Sequence, residues 1–498
     1  MTPSADEPCD LGAAEARALI GRKALSPVEL AESCIGRIET LDHAVNAVVT
    51  RDFERALDRA RECEAAVMEG APLGALHGLP IGIKDTSDTG GLRTTYGSPI
   101  FADHKPEADE RFVARLREAG GIVLGKTNVP EWAAGGNTRN PVFGATGNPF
   151  DTMRTAAGSS GGSAAALACG MVPLASGSDT GGSLRNPAAF CGVVGFRPTP
   201  GLIPSEKRGT AWLQVSTLGP MARNVGDAAL MLSVMKGSDG RDPLSSIWSG
   251  PDTRDWSVPP RVDLSRLRVG WTRDFGFAPV ERAVSDAVAE KATLSASLFA
   301  SLEEATPDCS GADDIFAVLR AVAALGMFGP LLAQHPDRIG PNIKANIAEG
   351  EGYSAVDVSR AMNEQTRYHR RWHAFFDTHD VLLAPAVGIS PRPWRELYPV
   401  EIEGRPTRSY YHWLACAYAV TLAGCPAISL PVGRDANGMP FGLQIVARRG
   451  ADRFLLGVAQ AMEEALGSDP RTARPLPDLD ALRGAKPLSE TEGFLAWD

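Results

Sequence analysis

The sequence lacks the features that commonly indicate a polyanionic partner or a membrane. Its 498 residues carry a formal net charge of −10, whereas binding to nucleic acid requires a basic face. No run of about 18 apolar residues is present, and no basic segment precedes an apolar one near the first residue. We therefore expect a cytoplasmic protein that binds neither nucleic acid nor membrane.

Cysteine and histidine are few and scattered. The eight cysteines include no C-x-x-C pair, and we interpret them as the reduced thiols of a cytosolic protein. His369 and His373 lie four positions apart in a predicted helix, but no acidic third ligand accompanies them, which favours an arginine-rich helix face over a zinc site. None of the eight histidines has the glycine-rich or strand-ending context expected of a base that activates a nucleophile. We expect no metal and no flavin or nucleotide cofactor.

The composition and the pattern of elements predict a globular α/β protein. Hydrophobic residues make up 44% of the chain and charged residues 22%, which is typical of a protein with a large core. Predicted helices follow the capping box that begins at Ser26 and run over about 53–68, 109–119 and 451–467. Residues 122–124 form a predicted buried strand, and helices alternate with strands along the chain.

One segment matches a phosphate-binding motif by its letters alone. Residues 120–127, GGIVLGKT, satisfy the pattern GxxxxGK[ST]. We reject ATP binding because the loop positions are apolar and because residues 128–130, NVP, disfavour the helix that must follow such a loop. A buried strand is the better interpretation of this segment.

Two serine-containing glycine loops lie 24 residues apart, with Ser159 in the first and Ser183 in the second. In the run Asp179-Thr180-Gly181-Gly182-Ser183, the glycines allow successive backbone N–H groups to face one point. Such donors beside a nucleophilic hydroxyl stabilise the oxyanion that forms in acyl transfer. The pattern predicts acyl transfer with Ser183 as the nucleophile.

Lys84 is the candidate base for this serine. It ends the apolar stretch LPIGI at residues 79–83, which predicts a short buried strand. Burial disfavours the charged ammonium group and lowers the pKa of a lysine. A neutral Lys84 is able to accept a proton from a hydroxyl group.

The motifs GLPIGIKD (78–85), GSSGGSAAAL (158–167) and GSDTGGSLRNPAAFCGVVGFRPT (177–199) resemble the amidase signature family of serine hydrolases. The resemblance extends over roughly residues 10 to 465, with further matches at 125–132, 382–386, 424–431 and 442–446. It implies an α/β fold, namely a single large α/β/α domain with a central mixed twisted sheet flanked by helices. It also implies an amidase that acts on linear amides and needs no cofactor.

The resemblance assigns roles to individual residues. It implies a triad in which Ser183 attacks the carbonyl carbon, Ser159 relays the proton after a cis peptide bond with Gly158, and Lys84 is the final base. The implied oxyanion hole is formed by the backbone N–H groups of Thr180, Gly181, Gly182 and Ser183. Supporting roles are implied for Ser160, which braces the relay, and for an ion pair between Asp179 and Arg185.

The same resemblance divides the single domain, 1–498, into regions. We expect an N-terminal helical segment at about 10–70, the signature core at about 75–225 and a C-terminal core segment at about 380–467. The variable regions at about 201–260 and 310–415 are expected to form the substrate pocket. The candidate aromatic walls are Trp132, Trp212, Phe328, Tyr410 and Trp413, with Trp248 and Tyr411 as neighbours.

The resemblance leaves the substrate open. Relatives act on small amides, anilides and carbamates, and the segment after Pro198 is more similar to free-standing bacterial amidases than to the amidotransferase branch of the family. We therefore expect broad activity on small or aryl amides, esters or carbamates (urethanes) through an acyl-enzyme, and the resemblance is compatible with a homodimer. The alternatives are a subunit that supplies ammonia to a partner, and a catalytically idle binding protein of the same fold.

Overall fold

A computed structural model describes residues 7–245 and 252–496, and its centre is a mixed sheet of eleven strands. The strands are β1 Val48–Arg51, β2 Pro80–Lys84, β3 Ile122–Thr127, β4 Arg139–Asn140, β5 Gly144–Ala145, β6 Gly147–Asn148, β7 Asp151–Thr155, β8 Leu174–Asp179, β9 Val194–Arg197, β10 Thr217–Ala222, β11 Arg268–Trp271, β12 Ser301–Glu304, β13 Val381–Pro385, β14 Glu401–Ile402, β15 Arg405–Pro406, β16 Ala427–Arg434 and β17 Pro440–Val446. The sheet order is β1-β3-β2-β8-β10-β9-β16-β17-β13-β11-β12, and the other strands form three small two-stranded sheets.

Helices pack around this sheet and complete the predicted α/β fold. They are α1 Ala13–Gly21, α2 Pro27–Val45, α3 Phe53–Glu69, α4 Arg111–Glu118, α5 Gly161–Ala168, α6 Arg185–Cys191, α7 Val225–Met235, α8 Arg282–Ser295, α9 Ala312–Gln334, α10 Pro341–Glu351, α11 Ala355–Thr378, α12 Ala415–Ala423, α13 Asp452–Leu466 and α14 Leu479–Arg483. The sheet is mixed because β2 runs parallel to β3 and β8, whereas β10 runs antiparallel to β8. The prediction of a mixed sheet flanked by helices is confirmed.

Local sequence signals place the helices correctly. The side chain of Ser26 accepts hydrogen bonds from the backbone N–H groups of Val28 and Glu29, and the Glu29 carboxylate accepts one from the Ser26 N–H. This capping box begins α2, with Pro27 at the first helical position. The predicted helices over 53–68, 109–119 and 451–467 correspond to α3, α4 and α13 within two residues at each end.

The segment that matches a phosphate-binding motif is a buried strand, β3, as the sequence predicted. Its lysine, Lys126, points into the protein, where the ammonium group donates to the Ser87 carbonyl oxygen and to the hydroxyls of Thr89 and Thr94. A lysine held in this way cannot reach a bound phosphate. The rejection of ATP binding therefore rests on geometry as well as on sequence.

The two histidines four positions apart lie on α11. The Nδ1 atom of His369 is 2.8 Å from the Ala423 carbonyl oxygen, and that contact ties α11 to the end of α12. His373 lies beside the guanidinium group of Arg448, at 3.5 Å, where a cationic neighbour disfavours a metal ion. Both imidazoles are thus engaged by the protein itself.

Helix α9 is long and apolar enough to cross a membrane, by length and composition, and it is the one such helix in the described part of the chain. Asp313, Asp314 and Arg320 interrupt its apolar residues, so it contains no uninterrupted apolar run of 18 residues. Ile315 and Phe316, near its beginning, are buried in a hydrophobic cluster that also contains residues of α12. This part of α9 therefore serves as a core helix.

Candidate active site

Lys84 is the last residue of β2, all five residues of which are buried. Its side chain is 1% exposed, and Nζ lies 2.7 Å from the Ser159 Oγ and 2.8 Å from the Ser178 Oγ. Burial lowers the pKa of Lys84 to about 7, against the opposing attraction of the Asp179 carboxylate. The amine is therefore held between two hydroxyls and can be neutral near neutral pH.

Ser159 and Ser160 directly precede helix α5. The peptide bond between Gly158 and Ser159 is cis, which agrees with the resemblance. Ser160 occupies the N-cap position of α5, and its hydroxyl oxygen accepts a hydrogen bond from the Ser178 N–H at 3.5 Å. The Ser160 N–H donates to the Ser183 carbonyl oxygen at 3.3 Å, so this residue joins the two serine loops.

The loop that follows β8 does not leave all four predicted oxyanion donors free. The N–H of Gly182 donates to the Asp179 carboxylate at 3.1 Å, so it is used within the loop itself. The N–H groups of Thr180, Gly181 and Ser183 make no such hydrogen bond in the described part of the chain. Of the four predicted donors, the Gly182 N–H is therefore engaged within the loop, and Thr180, Gly181 and Ser183 stay candidate donors.

Two glycines of these motifs lie in close contact with neighbouring parts of the chain. Gly182 has a φ of 98°, and an added Cβ would lie 2.4 Å from the Cβ of Ala417 in α12. An added Cβ on Gly162, in α5, would lie 2.2 Å from the backbone nitrogen of Asn128. Neither position has room for a side chain, which accounts for the glycines in both motifs.

Asp179 is the centre of a buried ionic group. Its carboxylate lies 2.8 Å from an Nη atom of Arg185, the predicted partner, and 2.9 Å from an Nη atom of Arg197. Burial alone would raise the pKa of Asp179, but the charges of the two guanidinium groups hold it well below its usual range. Because Asp179 also accepts the Gly182 N–H, this ionic group fixes the shape of the loop that precedes Ser183.

Arg185 connects the loop to the rest of the sheet and to α12. It donates to the Ala417 carbonyl oxygen at 2.9 Å and to the Gln444 Oε1 on β17 at 2.5 Å.

Burial lowers the pKa of Arg197 to about 10, against the attraction of Asp179. The ion pair predicted between Asp179 and Arg185 is present, and Arg197 is an additional member.

Sequence reasoning missed Ser178 and Arg197, although both lie inside the motif that carries the resemblance. Ser178 immediately precedes Asp179 and contributes a second hydroxyl to the Lys84 amine. Arg197 ends β9 and reaches Asp179 from the neighbouring part of the sheet. The only available signal was their position within the residue pattern 177–199.

The predicted pocket aromatics do not form one wall. Trp413 lies near the serine loops. Its ring would be 2.2 Å from a Cβ added to Gly136, and Gly136 packs against Gly158, which precedes Ser159. Trp132 and Phe328 stack on each other with ring centroids 5.0 Å apart, in a separate cluster of hydrophobic residues.

The other candidates lie around two cavities. Tyr410 and Tyr411 line a cavity of 510 Å³, whereas Trp212, 80% exposed, lines another of 560 Å³ between α9 and α11. Trp248 lies outside the described residues. The side chains that pack on the loop 179–183, called the oxyanion loop below, were not predicted: the Phe316 ring and the aliphatic side chain of Leu414 are nearest to Gly181.

Comparisons with known proteins agree with this geometry. A family model described as Amidase matches residues 29–456. An acylamidase from Rhodococcus erythropolis is 36% identical over 456 residues, which cover 91% of this chain and 95% of the relative. A glutamyl-tRNA(Gln) amidotransferase subunit from Moorella thermoacetica is 35% identical over 480 residues, which cover 91% of this chain and 96% of that relative. Among solved structures, a bacterial aryl acylamidase of the amidase signature family has a TM-score of 0.86 at 29% identity, covering 96% of this chain and 99% of that one.

Proposed function

The chain belongs to the amidase signature family of amide-hydrolysing enzymes, and from that premise we propose that it acts through an acyl-enzyme on Ser183. One observation carries the proposal: the buried Lys84 amine lies within hydrogen-bond distance of Ser159 and has a pKa lowered to about 7. A base with a pKa near neutrality is well suited to remove a proton from a hydroxyl group at that pH.

In the first half of the reaction, Ser183 adds to the substrate carbonyl carbon. Its proton passes to the Ser159 oxygen, while the Ser159 proton passes to the Lys84 amine, which becomes an ammonium group. The negative charge that develops on the carbonyl oxygen is stabilised by the N–H groups of Thr180, Gly181 and Ser183. The same relay then returns a proton to the leaving group as the carbon–nitrogen bond breaks.

In the second half, water hydrolyses the ester that links the acyl group to Ser183. The neutral Lys84 again accepts a proton through Ser159, this time from water, and the Ser183 hydroxyl is restored as the product acid leaves. The ionic group of Asp179 keeps the loop in one shape throughout, because its three charged members are completely buried.

We propose small or aryl amides, esters or carbamates (urethanes) as substrates. Support comes from the acylamidase relative at 36% identity and from the likeness to an aryl acylamidase of known structure. Hydrolysis of an ester or a carbamate would use the same acyl-transfer steps, with an alcohol as one of the products. Location in the cytoplasm and a homodimeric state remain predictions from the sequence.

The relatives that are amidotransferase subunits support a second candidate function. At 35% identity over nearly the full chain, one such relative is almost as similar as the acylamidase. A chain of this type would release ammonia from an amide and depend on a partner to use it. The third alternative, an idle binding protein, would keep the fold without turnover.

One parallel assay separates the three alternatives. The wild type and Ser183→Ala would be incubated with primary amides, acyl anilides, esters and aryl carbamates, and the release of ammonia, aniline or alcohol would be measured. Release of aniline or alcohol by the wild type, but not by Ser183→Ala, supports a free-standing hydrolase. Release of ammonia alone, from primary amides only, favours the ammonia-supplying subunit.

Labelling by a fluorophosphonate completes the comparison. A wild-type chain that is labelled but hydrolyses nothing has a reactive serine and lacks a partner or a suitable substrate. A well-folded chain that neither hydrolyses nor becomes labelled would support the idle binding protein and reject Ser183 as a nucleophile.

A further inference from the structure

A polar cavity of 510 Å³ lies beside the oxyanion loop and is not part of the hydrolytic machinery described above. Its walls come from the beginning of α9, from α10 and from the segment that leads into α12. The side chains that carry the argument are Asp313, Asp314, Asn346, Glu349, Tyr410 and Tyr418.

Two contacts connect this cavity to the active site. Phe316 packs on Gly181 and stacks on Tyr418, with ring centroids 4.3 Å apart, so one ring separates the cavity from the oxyanion loop. On the other side, the Asn342 amide donates to the Ala134 carbonyl oxygen, close to the segment that packs against Gly158. The cavity therefore neighbours the oxyanion loop, with the Phe316 ring between them.

The charged groups around the cavity leave an excess of negative charge. Glu349 pairs with Arg320 and also accepts a hydrogen bond from the Tyr411 hydroxyl at 2.9 Å. Asp313 accepts a hydrogen bond from the Tyr418 hydroxyl at 2.5 Å.

Asp313 also faces two weaker cationic neighbours. The Arg408 guanidinium, on a mostly exposed side chain, is 3.6 Å from its carboxylate, and the His412 imidazole is 3.8 Å away. Burial lowers the pKa of His412, which favours the neutral imidazole. The remaining carboxylate, Asp314, has no ion pair within the two described ranges of the chain.

A second observation indicates where a ligand could donate a hydrogen bond. Asn346 is 3% exposed and lines the cavity, and its amide donates to the Tyr410 hydroxyl at 2.9 Å. Its Oδ1 atom has no hydrogen-bond partner among the described residues. A buried amide oxygen without a donor is costly, so a donor supplied by a ligand would relieve that cost.

We propose that this cavity is a substrate subsite for a primary ammonium group, with Asp314 as its principal counter-ion. An ammonium group supplies three donors, which suits two carboxylates and an amide oxygen. The inference rests on the proposed function, because it identifies the class of substrate that Ser183 would receive: amides that carry an amine beyond the scissile bond.

The test uses matched pairs of acyl anilides that differ only in a terminal amine or a terminal methyl group of the same chain length. A second pair carries the same difference on the leaving group. In at least one pair, we expect the kcat/KM of the wild type to be higher for the substrate with the amine than for the substrate with the methyl group. Asp314→Asn should reduce this ratio about three- to tenfold. Added salt should reduce the wild-type preference in the same direction.

The matched control is Glu351→Gln, which removes one negative charge from the exposed end of α10, outside the cavity. It should leave the preference for the amine largely unchanged, since water and salt screen an exposed charge that does not line the cavity. A wild-type enzyme with no preference in either pair, or an Asp314→Asn variant that keeps the full preference, would overturn the subsite.

A binding measurement keeps the subsite testable without turnover. Calorimetry would compare the two amides of each pair as ligands of Ser183→Ala, alone and combined with Asp314→Asn. Tighter binding of the amine, lost in the combined variant, supports the subsite even when the wild type hydrolyses nothing. Equal binding of both amides rejects it while leaving hydrolysis at Ser183 intact.

Discussion

The Lys84 Nζ atom lies 2.7 Å from the Ser159 Oγ, and solvent reaches neither side chain appreciably. Because water does not compete for this contact, the proton that Ser159 donates or accepts is shared with the lysine. Ser183, by contrast, is partly exposed and able to meet a substrate. In the proposed mechanism, this arrangement separates a protected base, Lys84, from an accessible nucleophile, Ser183.

Replacement of Ser183 by alanine should abolish turnover without disturbing the fold. The change removes the atom that forms the acyl-enzyme, and loss of a catalytic serine lowers kcat by roughly 10⁴- to 10⁶-fold. Steady-state kinetics and thermal unfolding of the same preparations would be compared. Substantial remaining activity with an unchanged melting temperature would reject Ser183 as the nucleophile.

The pH dependence of kcat/KM should report the pKa of Lys84, the proposed base. Burial lowers the pKa of Lys84 to about 7, and only the neutral amine can accept a proton. Activity should therefore rise as the pH increases through 7 and level off above it. A pH profile that stays flat through this range, measured with a substrate that does not itself titrate, would contradict the role of Lys84.

The free energy of unfolding should also depend on the protonation of Lys84, and its change with pH has a defined sign. Between pH 7 and the ordinary lysine pKa of 10.5, the unfolded chain binds one proton that the folded chain does not. The free energy of unfolding of the wild type, relative to Lys84→Met, should therefore rise with pH across this window. Denaturant unfolding of both proteins at several pH values measures it, and a constant difference would mean that Lys84 keeps its ordinary pKa in the folded state.

Ser159→Ala should be less damaging than Lys84→Ala. A water molecule can occupy the space of the removed hydroxyl and carry the proton between Ser183 and the lysine, whereas nothing replaces the base. Single-turnover rates of the two variants would be compared, with Ser163→Ala as the control, since Ser163 is a buried serine on α5, the helix that follows Ser159. A Ser159→Ala enzyme slower than Lys84→Ala would argue against this relay.

The sequence was informative where one local pattern determines the result. The capping box at Ser26 and the buried strand that ends at Lys84 both follow from a few neighbouring residues. Ser178 and Arg197 could not be assigned in the same way, because their contacts with Lys84 and Asp179 depend on how strands pair and loops fold in three dimensions.

The pocket was the least predictable part for the same reason. Trp212 and Trp413 were both predicted as pocket walls, yet Trp212 is 80% exposed and Trp413 is buried beside Gly136. The Gly182 N–H gives a similar case, since its direction toward Asp179 is a property of the folded turn. Residue type alone specifies neither exposure nor the direction of a hydrogen bond.

Asp179→Asn should be among the most destabilising single changes in the site. The carboxylate pairs with both Arg185 and Arg197, and all three side chains are fully buried. Removing one partner of a buried ionic group typically costs about 3–5 kcal/mol, because the opposite charge remains without compensation. Chemical denaturation at neutral pH would measure the loss, and activity should fall with it because the loop before Ser183 loses its anchor.

The control for this change is Asp469→Asn, which removes the carboxylate from an exposed pair with Arg471. Water and salt screen that pair, so its loss should leave the midpoint of unfolding nearly unchanged. Equal effects of the two substitutions would show that the buried ionic group contributes no more than a surface pair. A stable but inactive Asp179→Asn would instead assign Asp179 to shaping the loop around Ser183, with its ionic contacts contributing little to the stability of the whole fold.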